Sequence, residues 1–280
     1  MFFESNGYTL HYSVSGNGPN TLLAFHGFGQ NEKAWQVFDQ TLSLYFTTYS
    51  FDHFYHGKSK TPSKKKALDF IPPLTYTQIF QEFLAQKQIS NYWLLGYSLG
   101  GKSVLHLTTY LNPAPQGIIL LAPDGIRESP WYAFVSRTKI GLWTYKQWML
   151  REKLFDSSMQ MLEKLNLLNP SLFRFMHTTL DSKKKRAHVL FTWKNYAQLS
   201  GADKKTYTRI LSNKIKCLII TGKFDPIIPA SIGRIFTSKA KAKHVEWSSG
   251  HDLLKPKLEI LFKKELEDLL SISTPTNNPH

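Results

Sequence analysis

A single cysteine, Cys217, in 280 residues excludes an intramolecular disulfide framework and a cysteine-built zinc site. Long apolar runs are missing as well. The longest, such as residues 118–122, are strand-sized and fall short of the roughly 18 residues a membrane-spanning helix requires. The opening stretch, MFFESNGYTLHYSV, sets Glu4 and Asn6 where a secretory leader needs unbroken apolar residues, so a cytoplasmic compartment is the expectation. Acidic residues are scarce: 20 Asp and Glu stand against 35 Lys and Arg, a net charge of +15. Such an excess favours anionic partners in general, and its distribution says more than its size. Residues 126–210 hold 16 basic and 6 acidic side chains, so two-thirds of the excess lies in under a third of the chain. Apolar material is plentiful. The chain is 42% hydrophobic, with 19 Phe, 13 Tyr and 7 Trp, which excludes global disorder.

Short apolar runs alternate with longer helical patterns, the signature of a βαβ sheet. Residues 8–15 alternate and end in Gly16-Asn17-Gly18-Pro19, as an antiparallel strand should. Further strands are predicted at 21–25, 46–51, 92–95, 118–121, 217–220 and 245–247. Helices are predicted at 32–44, 76–89, 99–111, 229–238 and 258–270, where apolar residues recur at helical spacing. From 126 to 210 the rhythm changes to helical stretches only, at 131–149, 158–168, 172–180 and 189–199. The sequence therefore divides into an α/β core, residues 1–125 and 211–273, a helical insertion at 126–210, and a frayed tail at 274–280.

Gly96-Tyr97-Ser98-Leu99-Gly100 matches G-x-S-x-G between a predicted strand and a predicted helix. A serine presented on so tight a turn needs small residues two before and two after it, so that neighbouring chains can approach. The pentapeptide is weak by itself, since a glycine-rich turn opening a helix looks the same. A serine hydroxyl is a poor nucleophile, however, and needs a positioned base that in turn needs an orienting carboxylate. Both follow in the chain order Ser, Asp, His. Asp225 lies after the strand at 217–220 and His251 after the strand at 245–247, at the strand ends where α/β sheets keep their sites. Taken singly, they read equally well as a capping aspartate and a surface histidine. Asp124, in Ala122-Pro123-Asp124-Gly125, also follows a strand and is the rival acid. His26-Gly27-Phe28-Gly29 ends an earlier strand, which makes the amides of Phe28 and Leu99 the candidates for stabilising an oxyanion. His26 reads as a buttress of that loop. Cys217 reads as a buried strand residue, and the runs 64–66 and 183–186 as solvated charge. His106, His177, His188 and His244 show no ligand spacing, so no metal is assigned.

These segments together resemble the α/β-hydrolase superfamily, in its capped, serine-triad lineage. The resemblance implies an eight-stranded, mostly parallel, doubly wound sheet with a helical cap inserted after the sixth strand. It also implies a Ser98–His251–Asp225 triad, since Gly222-x-x-Asp225-x-x-x-Pro229 matches the family's usual acid motif, although some relatives take the acid from the position of Asp124. Asp52-His53-Phe54-Tyr55-His56-Gly57-Lys58-Ser59 is similar to the family's D-x-x-G-x-G-x-S loop, but with Tyr55 where a glycine is usual, which predicts a different loop shape. The implied activity is hydrolysis of a small-molecule ester, thioester or related carbonyl substrate, without cofactor or metal. C–C cleavage or a menaquinone-pathway-like lyase reaction on the same triad is the alternative, and a non-catalytic ligand-binding or membrane-associated protein the minor one. Partners are expected to be small molecules, with an anionic substrate left open; no nucleic acid is expected, membrane association is a minor reading, and the oligomeric state is open.

Overall fold

The computed structural model describes residues 1–62, 70–128, 130–165, 177 and 179–271. The tail at 274–280, the lysine run 64–66 and most of the predicted helix 172–180 lie outside them. Eight strands form one sheet: β1 (Phe2–Ser5), β2 (Tyr8–Ser15), β3 (Asn20–Phe25), β4 (Phe46–Phe51), β5 (Trp93–Tyr97), β6 (Gly117–Leu121), β7 (Lys216–Gly222) and β8 (Lys243–Trp247). Their order is β1-β2-β4-β3-β5-β6-β7-β8. β2 pairs antiparallel with β1 and with β4, and the remaining pairs are parallel. The central strands β5 and β6 are buried at every position, which is why they read as continuous apolar runs and not as alternation. β1 is the strand that the pattern of apolar runs does not predict. Asn6 and Gly7 both adopt positive φ, 51° and 78°, and make the two-residue turn that folds β1 back on β2.

Ten α-helices are described. They are α1 (Asp39–Tyr45), which continues a 3-10 turn at Glu32–Phe38, α2 (Pro73–Gln86), α3 (Leu99–Tyr110), α4 (Pro130–Arg137), α5 (Lys139–Leu150), α6 (Glu152–Lys164), α7 (Lys183–Tyr196), α8 (Lys204–Ser212), α9 (Ser231–Ala240) and α10 (Glu259–Ser271). Two apolar clusters sandwich the sheet. One joins Phe80 and Phe83 of α2, Val104 and Leu105 of α3, Ile210 of α8 and Phe236 of α9. The other joins Trp35, Phe38 and Leu42 to Phe262 and Leu266 of α10. Helices on both faces make the sheet doubly wound. Among the described residues no helix is long and apolar enough to cross a membrane.

A third cluster belongs to the insertion, where Val135, Tyr145, Met149, Phe155 and Val189 pack together. One expectation changes here. The predicted single helix at 131–149 is broken at Thr138, whose backbone is extended (φ −98°, ψ 146°) and whose side chain caps α5 by accepting from the Gly141 amide. Gly141 also lets α5 approach the Phe134 carbonyl, where a methyl group would overlap it. Within the stretch 126–210, α8 packs on the sheet and not on this third cluster. α8 buries Tyr207 and Ile210 in the sheet-side cluster, and Arg209 hydrogen-bonds the Thr108 and Leu111 carbonyls at the end of α3. The chain re-enters the core at Ala202, whose amide donates to the Gly125 carbonyl (2.9 Å) beside the point of departure.

Candidate active site

β5 and α3 meet at Ser98, whose φ of 50° and ψ of −114° lie in a region that L-residues rarely occupy. The turn is held from both sides. The Ser98 amide donates to the Leu121 carbonyl, and the Ser98 carbonyl accepts from the amides of Gly101 and Asp124, all at 2.9 Å. The flanking glycines are required by contact: a methyl on Gly100 would overlap the Phe25 carbonyl, and one on Gly96 would press on the Gly100 backbone. Ser98 Oγ is thereby set 3.0 Å from His251 Nε2.

His251 sits on the loop after β8, and its Nδ1 is 2.7 Å from Asp225 Oδ2. The other oxygen, Oδ1, accepts from the amides of Ile227 and Ile228 at 2.8 and 2.9 Å. The Asp225 side chain is fully buried. With Oδ1 committed as an acceptor, Oδ2 accepts from Nδ1–H, and Nε2 is left with a lone pair facing the serine hydroxyl. Asp124 is not in this chain. Its Oδ1 accepts from the Gly125 amide at 2.7 Å, while its backbone braces the turn at Ser98. A residue that sequence reasoning passed over is Tyr97, the variable position before the serine, whose hydroxyl donates to the His251 carbonyl at 3.0 Å and fixes the histidine loop. Nothing in a pentapeptide pattern marks that role.

Phe28 and Leu99 both line the cavity at Ser98, and among the described residues neither amide has a hydrogen-bond partner. Gln30 shapes the first of these loops by accepting from the Gly27 amide. His26, fully buried, is a buttress in this geometry: Nδ1 donates to the Gly27 carbonyl (2.6 Å) and Nε2 accepts from the His53 amide (3.1 Å). His53, His56 and His188 extend the stack into the insertion. The His56 and His188 rings lie 4.4 Å apart and both pack on Phe28, yet their Nε2 atoms are buried without partners among the described residues. Burial pulls His26 down to about 4 and His56 to about 3, the latter helped by repulsion from His26 and His188; His53 is driven well below its ordinary value and His188 is lowered.

The Asp52 loop carries Tyr55 at a strained position. Tyr55 itself takes the left-handed conformation, φ 70°, that a glycine would provide, and its hydroxyl reaches Asn195 of α7. Asp52 organises the loop by accepting from the amides of Glu32 and Lys58 and from His11. Gly57 is needed because a side chain there would overlap that carboxylate. His11, Glu32 and Asp52 are the group of potential metal ligands that converge among the described residues. The bonds just named already occupy Asp52.

The cavity over Ser98 has a volume of about 340 Å³. The core contributes Ile227, Ile228 and His251, and the insertion contributes Tyr145, Trp148 and Trp193 to its walls. The Tyr145 and Trp193 rings stack at 5.5 Å, almost parallel. Burial raises the Tyr145 hydroxyl above its ordinary range, so the aromatic wall is neutral.

A family model described as the alpha/beta hydrolase fold matches residues 20–257, and the chain belongs to that family. Among curated proteins, it is 28% identical over 125 residues to a pimeloyl-[acyl-carrier protein] methyl ester esterase of Nitrosomonas europaea. The match covers 44% of this chain and 45% of that protein, so the chain spans about half the length of the curated relative it matches. Solved structures of similar fold include a thermophilic esterase from Thermogutta terrifontis (TM-score 0.65, 15% identity, 94% of each chain). The enol-lactonase of Burkholderia xenovorans LB400 is another (TM-score 0.64, 18% identity, 97% of this chain and 100% of that one). A third is a meta-cleavage product hydrolase of Pseudomonas fluorescens IP01 (TM-score 0.65, 14% identity, 98% of each). At these identities the likeness is one of fold.

Proposed function

We propose that this protein is a serine hydrolase acting on a small-molecule ester, thioester or related carbonyl compound. One observation carries the reading: Ser98, His251 and Asp225 form a hydrogen-bonded chain, 3.0 and 2.7 Å, on a strained turn that opens into a cavity. In this reading Ser98 Oγ attacks the carbonyl carbon while His251 Nε2 takes its proton. The amides of Phe28 and Leu99 donate to the oxygen that becomes negative. Collapse expels the leaving group, which takes the proton back from His251. A water then repeats the sequence and frees the acid, and Asp225 holds the imidazole in place throughout. The insertion acts as a cap that walls the cavity with aromatic rings.

The test is covalent labelling with a fluorophosphonate probe, followed by mapping of the modified peptide. Modification is expected at Ser98 alone; attachment to a different serine, or none at all, would reject the assignment.

The charge of the cap is read as a solvated face. Lys139, Lys153, Lys164 and Lys183–Lys185 are exposed, and none of them lines the cavity at Ser98. Raising salt is therefore not expected to depress kcat/KM for an anionic ester more than for a neutral one. A loss confined to the anionic ester would show instead that the cap draws anions to the cleft by long-range attraction.

A further inference from the structure

The described residues that line the cavity at Ser98 include no lysine and no arginine, although the cap above it is the most basic part of the chain. Apart from His251, the charged side chain on its wall is Asp124. The residue is held in place at two points, one on its backbone and one on its carboxylate. Its own amide donates to the Ser98 carbonyl at 2.9 Å, and its Oδ1 takes the Gly125 amide at 2.7 Å. Among the described residues no cation pairs with it, and Oδ2 has no protein partner. The nearby cations have their own acid: Lys102 and Arg137 both bind Glu128. A carboxylate with no cation beside it among the described residues thus stands on a largely apolar wall, and its backbone is hydrogen-bonded to the nucleophile's own carbonyl.

From this placement we propose that Asp124 determines specificity, acting as a charge filter that admits neutral acyl groups and rejects those carrying a carboxylate. The inference rests on the serine-hydrolase reading of the same site. Ile227, Ile228, Trp148 and Trp193 share the cavity wall with it, and apolar surface beside a charge weakens its screening by solvent. For two carboxylates about 6 Å apart at an effective dielectric of about 20, the repulsion corresponds to about a hundredfold in binding. The acyl carboxylate feels it in the bound substrate and in the transition state alike, so the penalty falls mainly on KM. Asp124 touches no reacting atom, and its role is to select.

The experiment compares two methyl esters of equal chain length, an alkanoate and the monoester of a dicarboxylic acid, in wild type and in Asp124→Asn. Asparagine keeps an acceptor for the Gly125 amide and removes the charge. Wild type is expected to prefer the neutral ester by about tenfold or more in kcat/KM, and the variant to lose most of that preference through a lower KM for the anionic ester. Asp124→Ser, which also retains an acceptor, is a second variant should the first fold poorly. Alkyl fluorophosphonates ending in methyl or in carboxylate give the same ratio from labelling rates. An equal neutral-to-anionic ratio in wild type and variants would overturn the charge filter alone. Failure of wild type both to turn over either ester and to be labelled by either probe would overturn the hydrolase reading beneath it.

Discussion

Replacing Asp225 with asparagine is expected to lower ester turnover by about 10⁴, the loss seen when a triad acid is made into an amide. The geometry gives the reason. Two backbone amides, from Ile227 and Ile228, point at Oδ1 and require an acceptor there. The carboxamide must therefore place its oxygen at that position and turn its NH₂ toward His251 Nδ1. A donor facing Nδ1 forces the imidazole proton onto Nε2, which then cannot accept the proton of Ser98. Removing the hydroxyl itself, by Ser98→Ala, should cost about a millionfold. Asp124→Asn should cost far less, because Asp124 does not reach His251 and its bond to Gly125 survives the exchange. Steady-state rates on one ester, with thermal midpoints to verify folding, separate the three. If Asp124→Asn proved the crippling change, the acid would have been assigned to the wrong loop.

Mild acid is expected to unfold this protein well above the pH at which carboxylates titrate. Burial lowers His26 and His106 from the ordinary 6.5 to about 4 and His56 to about 3, and it drives His53 further down. A histidine whose value is depressed in the folded state refuses protons that the unfolded chain accepts. Its contribution is intact above 6.5 and is lost as pH falls from there toward about 4. One pH unit below 6.5, His26, His56 and His106 each cost about 1.4 kcal/mol, together about 4 kcal/mol, a large part of the stability of many domains, and His53 acts in the same direction. The thermal midpoint should therefore fall steeply between pH 6.5 and 5. His56→Phe should flatten that slope by about one proton, at the cost of the 3.3 Å bond from Nδ1 to the Phe54 carbonyl. A midpoint unchanged down to about pH 4.5 would contradict neutral, buried histidines.

Much of the core was legible because its signals are local. A parallel strand covered on both faces must be a continuous apolar run, and residues 118–121 and 217–220 are such runs. A serine on a tight strand-to-helix turn must have glycine beside it, so Gly96 and Gly100 announce the turn before any coordinate is known. Where the sequence misled, at 131–149, capping and close approach between neighbouring turns decided the outcome, which an apolar pattern does not report. The helix expected across 131–149 breaks because Thr138 caps α5 and Gly141 packs on Phe134.

By itself the sequence determined the alternating α/β order, the turn that carries Ser98 and the succession of Asp225 and His251 on later strand ends, because strand burial and turn chemistry act over a few residues. Which aspartate meets His251 was a choice between two loops far apart in the chain. Tertiary structure decided it, because a hydrogen bond of 2.7 Å depends on how β6, β7 and β8 lie side by side. The same holds for the setting of Asp124, which no cation meets among the described residues, and for the buried His26, His53, His56 and His106. Burial and missing partners are properties of the assembled molecule, and no stretch of sequence states how far a side chain will stand from water or from the next charge.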